Sequence, residues 1–189
     1  MPKTRFNEAL QFAESAHQSQ RRKGTTIPYV AHLLAVTAIV LEHGGDEDQA
    51  IAALLHDAVE DQGGLEMEKT IRTRFGDRVA TIVMHCTDAV EEPKPPWRER
   101  KEVYLSKLPG KPREALLVSA ADKLHNARSI LADYRQIGEK LWIRFRGGRD
   151  GTLWYYRGLA DGFATSLPGS LATELSRVVS ELDQVVRKD

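Results

Sequence analysis

Four residues of this 189-residue chain carry the side chains of a divalent-metal site: His32, His56, Asp57 and Asp122. Two imidazoles and two carboxylates form a donor set of nitrogen and oxygen without sulfur, which suits a hard or borderline ion, Mn²⁺ ahead of Fe²⁺ or Zn²⁺. Four protein donors leave room for water. Such an ion lowers the pKa of bound water and offsets phosphoryl charge, the chemistry needed to hydrolyse a phosphate ester or anhydride. His32 alone carries little, because a lone histidine at the start of an apolar helix is more often a satisfied core residue. It gains meaning only beside His56, Asp57 and Asp122.

Around the adjacent pair His56-Asp57, the segment AIAALLHDAVED reads as one helix with an apolar stripe at Ile51, Leu54, Leu55, Ala58 and Val59. His56, Asp57, Glu60 and Asp61 then form a neighbouring polar strip. Asp57 and Asp61 stand at i,i+4, where like charges repel, and acids toward a helix C-terminus oppose the macrodipole. A bound cation reverses both penalties; a solvated helix end that tolerates its charges is the plainer alternative. The segment LLVSAADKLHNARSIL repeats the pattern, with Leu117, Ala121, Leu124 and Leu131 on one side and Asp122, His125, Asn126 and Ser129 on another. Short hydrogen-bonding side chains suit the lining of a site better than an exposed surface, although a buried structural network would use the same residues. Arg21-Arg22-Lys23-Gly24 is a short basic loop just before His32, and beside a metal site its cations suit phosphate oxygens.

The elements that must position these groups read as helices throughout. Apolar residues recur at helical spacing at Phe6, Leu10, Ala13 and Ala16, then at Leu33, Val36, Val40 and Leu41, and again from Leu65 to Thr87, Trp97 to Leu108, Pro112 to Gln136 and Thr152 onward. No stretch alternates as a strand would. Gly44-Gly45-Asp46, Pro109-Gly110 and Gly147-Gly148 punctuate them. The expected fold class is all-α, about eight to ten helices in one bundle and a single domain over 1–189. Glu91 to Lys101 (EEPKPPWRERK) is Pro-rich and charged, as an exposed loop or flexible lid would be. In TLWYYRGLADGF, Leu153 and Trp154 are expected in the core, with Tyr155 and Tyr156 as candidates to reach a ligand. The last segment, with Leu171, Leu175, Val178, Val179, Leu182 and Val185, is amphipathic and suits packing either on the core or on a second subunit, as in a homo-oligomer.

Composition narrows the function classes. Lys plus Arg number 27 and Asp plus Glu 27, so no net field would hold the chain on nucleic acid or an anionic membrane. The single cysteine, Cys86, excludes an internal disulfide and a zinc site of several thiolates, and fits a reducing cytoplasm. No secretory signal and no apolar run of the roughly 20 residues that span a bilayer is visible.

Read in order, AHQSQRRK, IPYVAH, LLHDAVED and ADKLHNAR resemble the HD-domain hydrolases of the RelA/SpoT alarmone family, in their stand-alone small form. The HD doublet alone points to the wider superfamily of metal-dependent phosphohydrolases; Arg22-Lys23, Glu60-Asp61 and Asn126 narrow it. The resemblance, which covers roughly Phe6 to Leu131, implies an HD-domain helical bundle with His32, His56, Asp57 and Asp122 as Mn²⁺ ligands. It makes Glu60 and Asp61 the acidic pair beside the attacking water. It also implies that Arg22 and Lys23 frame a nucleotide, that Asn126 and Ser129 contact its sugar or base side, and that Arg128 stabilises the site. The implied reaction removes the 3′-pyrophosphate of ppGpp or pppGpp, without alarmone synthesis. Ser19, Lys123 and Ser129 stand where the family commonly has Gly, Arg and Thr, and the Lys23–Pro28 loop is one residue longer than usual. Adenosine alarmones of the ppApp type therefore stay open as substrates. So do an HD phosphatase acting on nucleotides such as NADPH and, as a third class, a nucleotide-binding regulator without catalysis.

Overall fold

The computed structural model describes residues 3–88 and 93–188, with side chains from residue 5 onward. It is all-α. The helices are α1 (Lys3–Ala16), α2 (Val30–Glu42), α3 (Glu47–Leu55), α4 (Ala58–Gln62), α5 (Gly64–Phe75), α6 (Asp77–Cys86), α7 (Trp97–Lys107), α8 (Arg113–Ile137), α9 (Gly148–Ser166) and α10 (Ser170–Lys188). Short 3₁₀ turns occupy Leu108–Gly110 and Gly138–Arg144. Among the described residues the one extended pairing is an isolated bridge between Arg21 and Pro28, which closes the basic loop. No helix among them is long and apolar enough to cross a membrane.

The chain divides into two compact units, one of residues 1–94 and 112–121, the other of 95–111 and 122–189. In the first, α3 is the central element. Residues Gln49 to Leu55 are all buried, and α1, α2 and α6 pack around it. Four of its residues are Ala or Gln, so neighbouring backbones approach closely, while Ile51, Leu54 and Leu55 fill the remaining volume. Asp46 starts α3 with a capping box: its carboxylate accepts from Gln49 N–H, and the Gln49 side chain accepts from the Asp46 N–H.

Two long periodic segments are each a pair of helices. The segment Leu65–Thr87 is two helices, divided at Gly76, whose φ of 93° is open to glycine and costly for other residues. The segment after Thr152 is likewise split, between α9 and α10 at residues 167–169.

In the second unit α9 packs against α10 and α7. The apolar face of α10, with Leu171, Leu175, Val178, Val179, Leu182 and Val186, is buried. This gives the last helix a packing partner in its own chain. Val185, expected in that stripe, is half-buried, and its neighbour Val186 takes the inner position. Trp97 opens α7 where the helical period was expected to begin, so the loop reading of the Pro-rich segment fails only over 97–101; Glu91 and Glu92 of that segment lie outside the described residues. The Trp97 ring meets Trp154 and Tyr155 edge-on at 6.4 and 6.3 Å. On α9 Leu153 is buried as anticipated, whereas Trp154, also expected in the core, is half-buried under the Arg98 guanidinium, 3.3 Å from its ring centroid, and Tyr155 and Tyr156 are buried.

Candidate metal centre and acidic site

The α3 helix is interrupted at the His56-Asp57 pair, where a continuous helix was expected. His56 Nδ1 lies 2.8 Å from the Ala53 carbonyl oxygen, the acceptor that the Asp57 N–H would use in an unbroken helix. The interruption matters because adjacent side chains on a regular helix diverge. Here His56 Nε2 and Asp57 Oδ2 come within 3.0 Å, and His32 Nε2 stands 3.6 Å from the same oxygen. With Nδ1 engaged by a carbonyl, the tautomer of His56 presents its Nε2 lone pair to this point. His32 arrives from the first turn of α2, buried at 1% exposure, its ring edge-on to that of His56 at 5.2 Å.

His32, His56 and Asp57 each offer one ligand atom, all within 4.8 Å of one another. Two imidazole nitrogens and a carboxylate oxygen converging at that spacing fit a divalent metal ion. Tyr29, one turn before His32, donates its hydroxyl to Asp57 Oδ2 at 2.5 Å and so orients that carboxylate. The sequence reading missed this residue, although its i,i+3 relation to His32 was a visible signal.

The acids Glu60 and Asp61 fall in the first turn of the five-residue α4, so the expected penalty of a helix C-terminus does not apply to them. Their surroundings differ. Glu60 accepts from Lys94 Nζ at 3.2 Å and from the Asp88 N–H at 3.3 Å. Asp61 accepts from the Gln20 amide at 2.8 Å. Burial and the neighbouring Asp57 charge raise the Asp61 carboxyl above its ordinary 3.8, against the Gln20 hydrogen bond, which lowers it. The residue as a whole still meets solvent, so the protein mass crowds its carboxyl rather than enclosing it. Arg22 lies 5.7 Å over the Tyr29 ring, and its N–H bonds to the Ile27 carbonyl at 2.8 Å, so the basic loop is a closed turn. Lys23 is exposed on that turn.

In the second unit, Asp122 is 5% exposed on α8. Its two oxygens accept from Asn126 Nδ2 at 2.5 Å and from Lys123 Nζ at 2.6 Å. Burial, the largest single influence, opposes the Lys123 charge, but the Asp122 carboxylate together with the nearby Tyr155 and Tyr104 holds the ammonium well above its ordinary range. Ser129 shares the helix face of Asp122 and Asn126, its hydroxyl bonded to the His125 carbonyl at 3.0 Å. Arg128 points elsewhere: it is exposed and pairs with Glu174 of α10 at 2.5 Å. Tyr155 sits beside Tyr104, their centroids 6.3 Å apart, and Lys101, Lys111 and Lys123 stand 5.0, 3.8 and 5.1 Å from one or the other of these rings. Tyr104 was not singled out from sequence, because α7 has no strong apolar face to reveal it.

Comparison with known proteins agrees with this geometry. Residues 9–153 match the HD domain family. The chain is 41% identical over 126 residues to the guanosine-3′,5′-bis(diphosphate) 3′-pyrophosphohydrolase MESH1 of Xenopus tropicalis, covering 65% of this chain and 68% of that protein. It is 38% identical over 138 residues to a GTP pyrophosphokinase of Streptomyces coelicolor, covering 71% of this chain but 16% of that much longer protein. Among solved structures, one described as a metazoan ortholog of SpoT that hydrolyses ppGpp superposes with a TM-score of 0.78 at 26% identity, covering 98% of both chains. By the family match and these relatives, the chain belongs to the HD-domain family, and within it to the same family as the MESH1 proteins.

Proposed function

We propose that this protein hydrolyses the 3′-pyrophosphate of guanosine alarmones, converting ppGpp or pppGpp to GDP or GTP and pyrophosphate. The observation that carries the proposal is the meeting of His32, His56 and Asp57 within 4.8 Å, in a chain 41% identical to a protein named for this reaction. Asp122 joins the ligand set on the strength of its ADKLHNAR motif, and Mn²⁺ is the ion that best suits two nitrogens and two carboxylates. The HD family match spans residues of both units, which supports reading 1–189 as one functional domain, and the lone cysteine supports a cytoplasmic setting.

When bound, the divalent ion supplies positive charge for the phosphoryl oxygens and acidity for a water. The chain's own groups do the rest. Glu60 and Asp61 flank the attacking water and one of the two takes its proton; the bond between phosphorus and the 3′-oxygen breaks, the hydroxyl stays on pyrophosphate, and the proton passes to the 3′-oxygen. Lys94 keeps Glu60 oriented, and Tyr29 does the same for Asp57. Arg22 and Lys23 bind the nucleotide from the closed turn, Arg22 also having the planar face to stack on a base. Asn126, Ser129, Tyr155 and Tyr156 are assigned to the sugar and base side, with Arg128 bracing α8 through Glu174.

Adenosine alarmones share every feature of the chemistry, and Ser19, Lys123 and Ser129 leave the base open. Incubating the protein with Mn²⁺ and, separately, ppGpp, ppApp and NADPH, with products resolved by ion exchange, tests the proposal. Pyrophosphate from ppGpp is expected. Pyrophosphate from ppApp alone changes the base, orthophosphate from NADPH changes the reaction, and binding without turnover makes the protein a nucleotide-binding regulator.

A further inference from the structure

Beside the acids lie three residues that the chemistry above leaves unused, His17, Gln20 and Gln62. Gln20 donates from Nε2 to Asp61 Oδ2 at 2.8 Å, and its Oε1 lies 2.6 Å from both His17 Nδ1 and Gln62 Nε2. A carboxylate only accepts, so the Gln20 amide must turn its NH₂ to Asp61 and its carbonyl to the other two, and His17 then donates from Nδ1. His17 is 2% exposed, and its Nε2 is buried without a hydrogen bond among the described residues. A proton belongs on the nitrogen that has an acceptor. The His17 ring stacks on Tyr29 at 5.1 Å and 19°, and Tyr29 donates to Asp57. The Asp61 N–H bonds to the Asp57 carbonyl at 2.9 Å, which closes the circuit Asp57, Tyr29, His17, Gln20, Asp61.

Two carboxylates one helical turn apart repel, and an unrestrained Asp61 would swing toward solvent. A cation in the Gln20 position would restrain it at the cost of its basicity. A neutral amide orients the carboxyl and adds no countercharge, in contrast to Lys94 on Glu60. Building on the alarmone-hydrolase proposal, we infer that Gln20, itself oriented by His17 and Gln62, is a positioning residue that fixes the Asp61 carboxyl relative to Asp57.

The test compares Mn²⁺-loaded wild type with Gln20→Leu, His17→Phe and His17→Asn for kcat, KM, Mn²⁺ affinity and thermal unfolding. Gln20→Leu and His17→Phe are expected to lose kcat by about tenfold or more, the usual scale for a lost supporting hydrogen bond, with KM and Mn²⁺ affinity little changed. His17→Phe keeps the stack on Tyr29 without the donor. His17→Asn, whose amide N–H replaces Nδ1–H, is expected to recover most of the loss. Wild-type kcat in Gln20→Leu, or equal losses in His17→Asn and His17→Phe, would overturn the inference. Should a variant not fold, ring-nitrogen NMR of His17 in Zn²⁺-loaded wild type decides: an Nδ1–H tautomer supports the bridge and an Nε2–H tautomer overturns it. A wild type that releases pyrophosphate from neither alarmone overturns the functional proposal instead, and the same NMR result still judges the bridge.

Discussion

Asp57 is the residue on which most of the site's interactions meet. It faces two imidazoles and receives the Tyr29 hydroxyl, so replacing it removes one of the three converging donors and strands three partners. Asp57→Ala, and equally Asp122→Ala, is expected to cut turnover by at least about 100-fold while circular dichroism stays native. Near-normal activity in either variant removes that residue from the ligand set. Glu60→Gln is expected to retain metal, measured by titration, and to lower kcat, because an amide cannot take a proton from water. Metal loss would instead make Glu60 a ligand. Asp61 supplies a test in the metal-free protein. Its folded pKa is raised, so the stabilisation from its proton is complete below the ordinary 3.8 and is lost as pH rises through the folded value. Asp61→Asn keeps an acceptor for Gln20 and carries no charge. It should therefore be more stable than wild type at neutral pH, with the advantage shrinking toward pH 3.8; melting curves across that window that run parallel would refute the shift.

At the scale of elements, the site depends on where helices stop. Periodicity shows that the AIAALLHDAVED segment is helical and buried, but it cannot show that a side chain takes a backbone acceptor and interrupts the helix at the residue where the chemistry sits. The start of α9 is held by a different device. An added Cβ at Gly147 would lie 2.5 Å from the Trp97 indole, a rigid ring packed against Trp154 and Tyr155. Gly147→Ala should therefore cost about 1–3 kcal/mol in denaturant unfolding. Gly162→Ala makes the control: its Cβ meets one terminal carbon of Leu108 at 2.7 Å, a group able to rotate, and the gain in helix propensity of about 1 kcal/mol offsets the crowding. Equal losses at the two positions would show that indole rigidity is not the cause.

For the molecule as a whole, metal and folding are coupled. The converging ligands come from α2 and from the junction of α3 and α4, so an ion that binds them favours the folded state alone. Mn²⁺ at about 100 times its dissociation constant should add about 2.7 kcal/mol of stability, and a chelator should remove that increment together with turnover. An unfolding midpoint indifferent to both Mn²⁺ and chelator would mean that the three donors hold no ion.

The sequence by itself determined the helical class and named the candidate donor types and the candidate acidic pair, because hydrophobic period and donor chemistry are local properties. The extents of α7 and α8 were also legible to within a residue or so. Tertiary structure decided what depends on neighbours distant in the chain: that adjacent His56 and Asp57 face one point, that Lys94 meets Glu60 and Gln20 meets Asp61, and that Tyr155 and Tyr156 are buried while Trp154 is not. Hydrogen-bond partners 34 and 41 residues apart leave no periodic trace, because folding brings them together through side chains whose types alone do not name a partner.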